Sequence, residues 1–137
     1  MNKKFTTKNG LRVLINQMPH TRSASISIYV GAGSRYESEK EAGISHFVEH
    51  MCFKGTKTRP NPKDISEAIE GIGGVMNAAT DRELTTYWCK VPDTHFEEAL
   101  DVLIDMIKNS LFEDQEIEKE RQVILEELAM TLSLIHI

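Results

Sequence analysis

The length, composition and charge of the chain restrict the class of protein before any motif is considered. Its 137 residues are 40% hydrophobic and 27% charged, which is the balance of an ordinary globular domain with its own core. The formal net charge of −5 argues against a nucleic-acid partner, which would require a basic face. No apolar run reaches the length of a bilayer-spanning helix, so we expect no membrane partner.

The N-terminus and the two cysteines bear on the cellular compartment. Residues 1–5 include two lysines, but polar residues follow where a secretory signal would have its apolar stretch. Cys52 and Cys89 are far apart and form no CxxC pair, so we expect reduced thiols. Together these observations predict a cytoplasmic protein.

The first third of the chain is predicted to be β-structure. Residues 5–7 are extended, Asn9-Gly10 is a strong turn signal and residues 11–15 follow it, which predicts a hairpin. Residues 24–30 alternate small or polar with apolar side chains, and this period is typical of a half-buried strand. We therefore expect three strands before the first helix.

Helices and two further strands are predicted for the rest of the chain. We locate them by four signals: the spacing of apolar residues, glycines that end helices, an S/T-x-x-E capping-box pattern at 94–97, and acidic residues in first helical turns. The predicted elements are a helix over 39–52, a helix over 64–72, strands over 75–80 and 84–91, a helix from 94, and a helix from about 113 to 130. This order indicates an α+β fold, a mainly antiparallel sheet with helices packed on one face.

One short motif carries chemistry, HFVEH at residues 46–50. On a helix, His46 and His50 lie one turn apart on the same face, so both imidazoles can reach one metal ion. Glu49 also points toward that face. A catalytic zinc site keeps three protein ligands and an open position for water, whose proton a nearby carboxylate accepts. His46 and His50 are therefore candidate ligands, and Glu49 is a candidate general base.

The last predicted helix offers candidates for the third ligand. Glu120 and Glu127 are seven residues apart, which places them on one helix face, and Glu126 adjoins Glu127. One carboxylate would complete the metal site, while another would hold a ligating imidazole through its second ring nitrogen. The spacing alone leaves the choice between them open.

Five segments, taken in chain order, resemble the pitrilysin/insulinase family of zinc metallopeptidases. HFVEH is the inverted form of the zinc-binding motif, and it lies here within GISHFVEHMCFKGT at 43–56. The other four segments are GLRV at 10–13, GAGSRYE at 31–37, GGVMNAAT at 73–80 and ERQVILEE at 120–127. Together the five segments span nearly all of residues 1–130.

The resemblance implies a metal-binding role for residues on both helices. It makes His46 and His50 ligands of one Zn²⁺ ion per chain and Glu49 the general base. The third ligand implied is Glu127, which lies 77 residues after His50, and Glu126 is the alternative one position away. The zinc site would thus form between the HxxEH helix and the last helix.

The resemblance also implies roles for residues that would not bind the metal ion. Glu120 matches a carboxylate that supports a ligating histidine, and Asn77, Ala78 and Ala79 match an edge strand along which an extended peptide would lie. The implied activity is that of a zinc-dependent metalloendopeptidase, which hydrolyses peptides or protein precursors with a metal-activated water. The implied partner is a peptide or an unfolded protein substrate.

The resemblance predicts an incomplete domain. Residues 1–131 would form an N-terminal peptidase domain that is incomplete at its C-terminus, and the missing C-terminal half of the same protein is an expected partner. Residues 132–137, LSLIHI, match no part of the family pattern and equal the translation of a transposase library adapter, which predicts a non-native tail. Two alternatives to this function stay open: a non-catalytic family subunit and an inactive truncated fragment. The oligomeric state also stays open, with a dimer as the candidate.

Overall fold

The computed structural model describes residues 2–135 and has the predicted α+β fold. Within this range the strands are β1 (Asn2–Thr6), β2 (Arg12–Asn16), β3 (Ser23–Val30), β4 (Val75–Thr80) and β5 (Thr85–Pro92). The α-helices of the same range are α1 (Ile44–Met51), α2 (Pro62–Glu70), α3 (Phe96–Asn109) and α4 (Asp114–Ile135). None of these described helices is long and apolar enough to cross a membrane.

The main sheet is antiparallel and has the strand order β3-β5-β4. β5 is central, β4 lies at an edge of the described sheet, and Thr80 at the end of β4 pairs with Thr85 at the start of β5. Side chains alternate along β5, so that Thr85, Tyr87, Cys89 and Val91 are all buried on one face. This face is the one that meets the helices.

The core lies between the buried face of the sheet and the helices, as predicted. α2 contributes Ile65 and Ile69, and α3 contributes Leu103 and Met106, all without exposed surface. Burying an aliphatic side chain of this size stabilises the fold by roughly 1.5–3 kcal/mol. α1 contacts β4 and α4, so the helix with the HxxEH motif lies between the edge strand and the last helix.

The predicted N-terminal hairpin is confirmed, and it forms a two-stranded sheet separate from the main sheet. β1 and β2 pair antiparallel, with Lys4 opposite Leu14. Gly10 adopts a φ of 89° in the turn, a conformation that glycine tolerates best, and its N–H donates to the Thr7 carbonyl oxygen at 3.0 Å. The antiparallel structure is therefore divided over two sheets among the described residues.

The helix predicted over 39–52 begins later than expected. Glu39–Glu41 form a 3₁₀ turn, and α1 starts only at Ile44, because Gly43 has a φ of 92° that breaks the helical path. Glu37 then caps α1, accepting hydrogen bonds from the N–H groups of Gly43 at 2.7 Å and Ser45 at 2.8 Å. A carboxylate at this end is also favoured by the helix dipole.

The starts of α2 and α3 also differ from the prediction. α2 begins at Pro62, because proline is suited to the first helical turn and Asn61 forms a capping box with Asp64. The capping box predicted at 94–97 is wrong. Thr94 lies within the 3₁₀ turn Asp93–His95, and His95 precedes α3 without a side-chain cap.

The last helix runs further than predicted. α4 continues to Ile135, since no glycine or proline interrupts it. The predicted non-native tail, 132–137, begins inside this helix, and its residues 136 and 137 lie outside the described residues. The tail therefore stays a prediction.

Candidate metal centre

The two histidines of α1 face each other, as their helical spacing requires. His46 and His50 meet edge to face, with ring centroids 4.4 Å apart and an angle of 86° between the ring planes. Their Nε2 atoms are 2.9 Å apart. Both imidazoles thus direct the same ring nitrogen to one point beside the helix.

α4 brings Glu127 to this point. Its Oε2 lies 3.9 Å from His46 Nε2 and 3.8 Å from His50 Nε2. His46, His50 and Glu127 are the group of described residues that could hold a metal ion. Glu126, the neighbouring candidate, is not part of that group. The structure therefore brings together the residues that the family spacing selects.

The three donor atoms lie close to the spacing that a tetrahedral zinc ion would require. Zinc bonds of about 2.1 Å in tetrahedral geometry place the ligand atoms about 3.3–3.4 Å from one another. The separations of 2.9, 3.8 and 3.9 Å lie on either side of that value. Two imidazoles and one carboxylate are also a donor set of catalytic zinc sites. Small side-chain movements would bring all three atoms into range.

Glu120 supports His50 from the other side of the ring. His50 Nδ1 donates to Glu120 Oε1 at 2.7 Å, and Lys54 Nζ donates to Glu120 Oε2 at 2.5 Å. Glu120 is only 4% exposed. Burial alone would raise its pKa, but the hydrogen bonds and charges of Lys54 and His50 outweigh burial and hold the pKa below its usual value. Glu120 is thus held as a carboxylate that accepts from His50.

Glu49 lies on the same helix face and is held by the edge strand. Thr80 Oγ1, at the end of β4, donates a hydrogen bond to Glu49 Oε2. Thr80 also lies 3.3 Å from the hydroxyl of Thr85, which donates to the Ala32 carbonyl oxygen at 3.0 Å. The Glu49 carboxylate is therefore hydrogen-bonded to the end of β4, and Glu49 itself adjoins His50 on α1.

The residues predicted to bind substrate lie on β4. Asn77 and Ala79 are exposed, whereas Ala78 is half-buried, which follows the alternation of a strand at the sheet edge. The Ala78 N–H donates to Asn77 Oδ1 at 2.9 Å, so one amide of this strand is satisfied locally and not by a neighbouring strand. β4 pairs with β5 on its other side.

Sequence reasoning missed two residues of the site, Lys54 and Thr80. Lys54 lies three residues beyond the end of α1, so helical spacing from His50 does not identify it. Thr80 carries no local signal, because its contact with Glu49 joins a strand to a helix distant in the sequence.

Comparison with known proteins assigns this chain to a family. The family described as Insulinase (Peptidase family M16) matches residues 12–134. The chain belongs to this family. It is 45% identical over 130 residues to an uncharacterized zinc protease of Bacillus subtilis, YmxG, covering 95% of this chain and 32% of that protein. The resemblance described from the sequence is therefore confirmed.

Two further comparisons agree with this assignment. The chain is 48% identical over 123 residues to a probable mitochondrial-processing peptidase subunit beta of Arabidopsis thaliana, covering 90% of this chain and 23% of that protein. A protease from Helicobacter pylori has a similar structure, with a TM-score of 0.86 and 29% identity, covering 93% of this chain and 30% of that one. The chain thus spans about a third or less of the length of these proteins.

Proposed function

We propose that this insulinase-family chain contributes the zinc site of a metalloendopeptidase that hydrolyses peptides or protein precursors. The observation that carries the proposal is the convergence of His46, His50 and Glu127 beside a separate carboxylate, Glu49. Relatives that bear the name zinc protease support this family-level role. A non-catalytic subunit would not need all four side chains, and all four are present.

Each side chain of the site has a chemical role in the proposal. His46, His50 and Glu127 would hold Zn²⁺, which when bound supplies Lewis acidity that lowers the pKa of a water to about 7. Glu49 is not among the three metal-binding residues, so its carboxylate is available to accept a proton as general base. The same carboxyl group would then return that proton to the leaving amine.

Substrate binding is proposed along the edge of β4. An extended peptide would add a strand there, which gives main-chain binding with loose sequence preference. Asn77 would release the Ala78 N–H that it now accepts from, so that this amide could pair with the peptide. The Thr80 end of the same strand contacts Glu49, so a peptide paired with β4 would extend toward the proposed base.

We further propose that efficient hydrolysis requires more protein than this chain. The relatives are three to four times longer, and one of them is named a subunit, so a second half or a partner chain would complete the substrate site. Ordering a substrate contributes up to about 7–11 kcal/mol to catalysis. This chain alone would order the substrate poorly, so it would supply little of that contribution. A dimer and a cytoplasmic location stay predictions.

Hydrolysis of a quenched fluorescent peptide tests this function. The zinc-loaded chain is compared with a longer protein that contains it, with and without a chelator, and with Glu49→Gln in the longer protein. We expect chelator-sensitive and Glu49-dependent hydrolysis by the longer protein, and little by this chain alone. Hydrolysis that survives both the chelator and Glu49→Gln would refute the peptidase function of this site. Equal turnover by the two proteins would refute the need for further chain.

A further inference from the structure

We propose that Thr80 is a positioning residue for Glu49, and that it holds one carboxylate oxygen so that the other stays free for proton transfer. The inference rests on the proposed function, because it assigns Glu49 the role of general base. It begins from the hydrogen bond between Thr80 Oγ1 and Glu49 Oε2, which joins the last residue of β4 to α1.

The direction of this hydrogen bond follows from chemistry. An ionised carboxylate can only accept, whereas a hydroxyl has one proton to donate, so Thr80 donates to Glu49. The neighbouring hydroxyl of Thr85 donates to the Ala32 carbonyl oxygen at 3.0 Å. Toward Thr80 the Thr85 hydroxyl can then only accept, at the longer distance of 3.3 Å. The carboxylate of Glu49 is the stronger acceptor, so the Thr80 proton goes to Glu49.

The strand pairing fixes the position of the Thr80 hydroxyl. Thr80 lies directly opposite Thr85 in the antiparallel register, and Thr85 is buried with 3% exposure. Threonine is branched at Cβ and has restricted χ1 freedom in a strand. The donor is therefore anchored to the sheet, while Glu49 is a longer side chain with more rotatable bonds.

The hydrogen bond gives the two carboxylate oxygens of Glu49 different roles, because one accepts from Thr80 and the other is left for proton transfer. Oε2 is occupied by Thr80, and Oε1 has no side-chain hydrogen bond to any residue between 2 and 135. Without the Thr80 hydroxyl, the carboxylate could rotate away from the histidines or turn toward the metal position as a ligand. A misplaced base slows the chemical step more than it weakens substrate binding, since rate depends steeply on placement.

The substitutions that test the inference keep the shape of the side chain and change its donor. Thr80→Val removes the hydroxyl, Thr80→Ser keeps it, and Thr86→Val makes the same change one residue from Thr85, on the opposite face of the sheet. Each variant is made in the longer zinc-loaded protein, and kcat, KM and zinc content are measured. We expect Thr80→Val to lower kcat roughly 10–100-fold, with KM and zinc content unchanged. Thr80→Ser and Thr86→Val should stay near the wild-type kcat.

Two further measurements make the outcome specific to Glu49. In a Glu49→Gln background, Thr80→Val should have no additional effect on kcat, and a full additional loss would overturn the proposed route through Glu49. A crystal structure of the zinc-loaded Thr80→Val protein should show the Glu49 carboxylate in more than one orientation. An unchanged single orientation together with a wild-type kcat would refute the inference. If the wild type proved inactive, the proposed function would fail, and the orientation of Glu49 would alone decide the role of Thr80.

Discussion

His50 Nδ1 donates a hydrogen bond to Glu120 Oε1 at 2.7 Å, and this contact fixes the tautomer of the imidazole. With its proton on Nδ1, His50 presents the Nε2 lone pair to the point that His46 Nε2 and Glu127 Oε2 also approach. A contact between α1 and α4 thus orients His50 Nε2 toward the proposed metal position. It also explains why a buried carboxylate lies behind the histidine.

We predict that Glu120→Gln weakens zinc binding. The amide can still accept from His50 Nδ1, but it lacks the negative charge that favours the cation and pairs with Lys54. Loss of a residue that hydrogen-bonds a ligating histidine typically costs about 10–100-fold in metal affinity, and we expect the lower end of this range for Glu120→Gln. Chelator competition on the purified protein measures it. Glu118→Gln, which removes an exposed charge from the same helix, is the matched control, and equal affinities for the two variants would contradict the prediction.

Glu49→Gln and Glu127→Gln should have different consequences. Glu49→Gln should keep zinc and lose activity by about two to four orders of magnitude, because the amide cannot accept the proton. Glu127→Gln should lose zinc affinity, because an amide is a poor zinc ligand. Zinc content and peptide hydrolysis are measured on each variant of the longer protein. A Glu49→Gln variant that lost its zinc would mean that Glu49 is a ligand and not the base.

We also predict that Asp105→Asn destabilises the fold. Asp105 in α3 is buried and accepts hydrogen bonds from Thr56 at 2.6 Å, Arg59 at 2.7 Å and Asn109 at 2.8 Å. Weakening these bonds in a buried site should lower the free energy of unfolding by about 1–3 kcal/mol. Urea denaturation measures the change. Asp101→Asn removes the exposed partner of Arg59 and should cost less than about 1 kcal/mol, so equal losses would show that burial of Asp105 does not matter.

The stabilisation by Asp105 should depend on pH in a defined direction. Burial raises the pKa of Asp105, but hydrogen bonds from Thr56, Asn109 and Arg59 outweigh burial and hold the pKa below that of an ordinary aspartate. A carboxyl group with a lowered pKa in the folded state stabilises the protein fully above its unfolded-state pKa, and this contribution is lost as pH falls through the folded-state pKa. The difference in unfolding free energy between wild type and Asp105→Asn should therefore be constant near neutrality and shrink below about pH 4. A difference that grew on acidification would contradict this assignment.

The sequence predicted what depends on local spacing. The alternation of residues 24–30 and 84–91 gave the strands of the main sheet, and HFVEH gave the paired histidines, because side-chain direction follows helix and strand periods. Glu127 required the family spacing, since nothing local distinguishes it from Glu126. The structure brings Glu127 and not Glu126 to the histidines.

The sequence could not predict contacts that tertiary packing creates. The bond from Thr80 to Glu49 depends on how β4 lies against α1, and no sequence period encodes that placement. The capping pattern at Thr94 failed for a related reason, because a 3₁₀ turn at Asp93–His95 occupies the position where the cap would form. The local preference of Thr94 for a helix cap is overridden by the tertiary structure where the chain passes from β5 into α3.

Zinc analysis of the purified protein is the most direct test of the site. Wild-type protein and a His46→Ala/His50→Ala variant are dialysed against the same zinc buffer, and zinc per chain is determined by atomic emission, with circular dichroism to check folding. We predict about one zinc per wild-type chain and almost none in the folded variant, because one carboxylate cannot hold the ion alone. Equal zinc in the two proteins would contradict a metal centre formed by His46, His50 and Glu127.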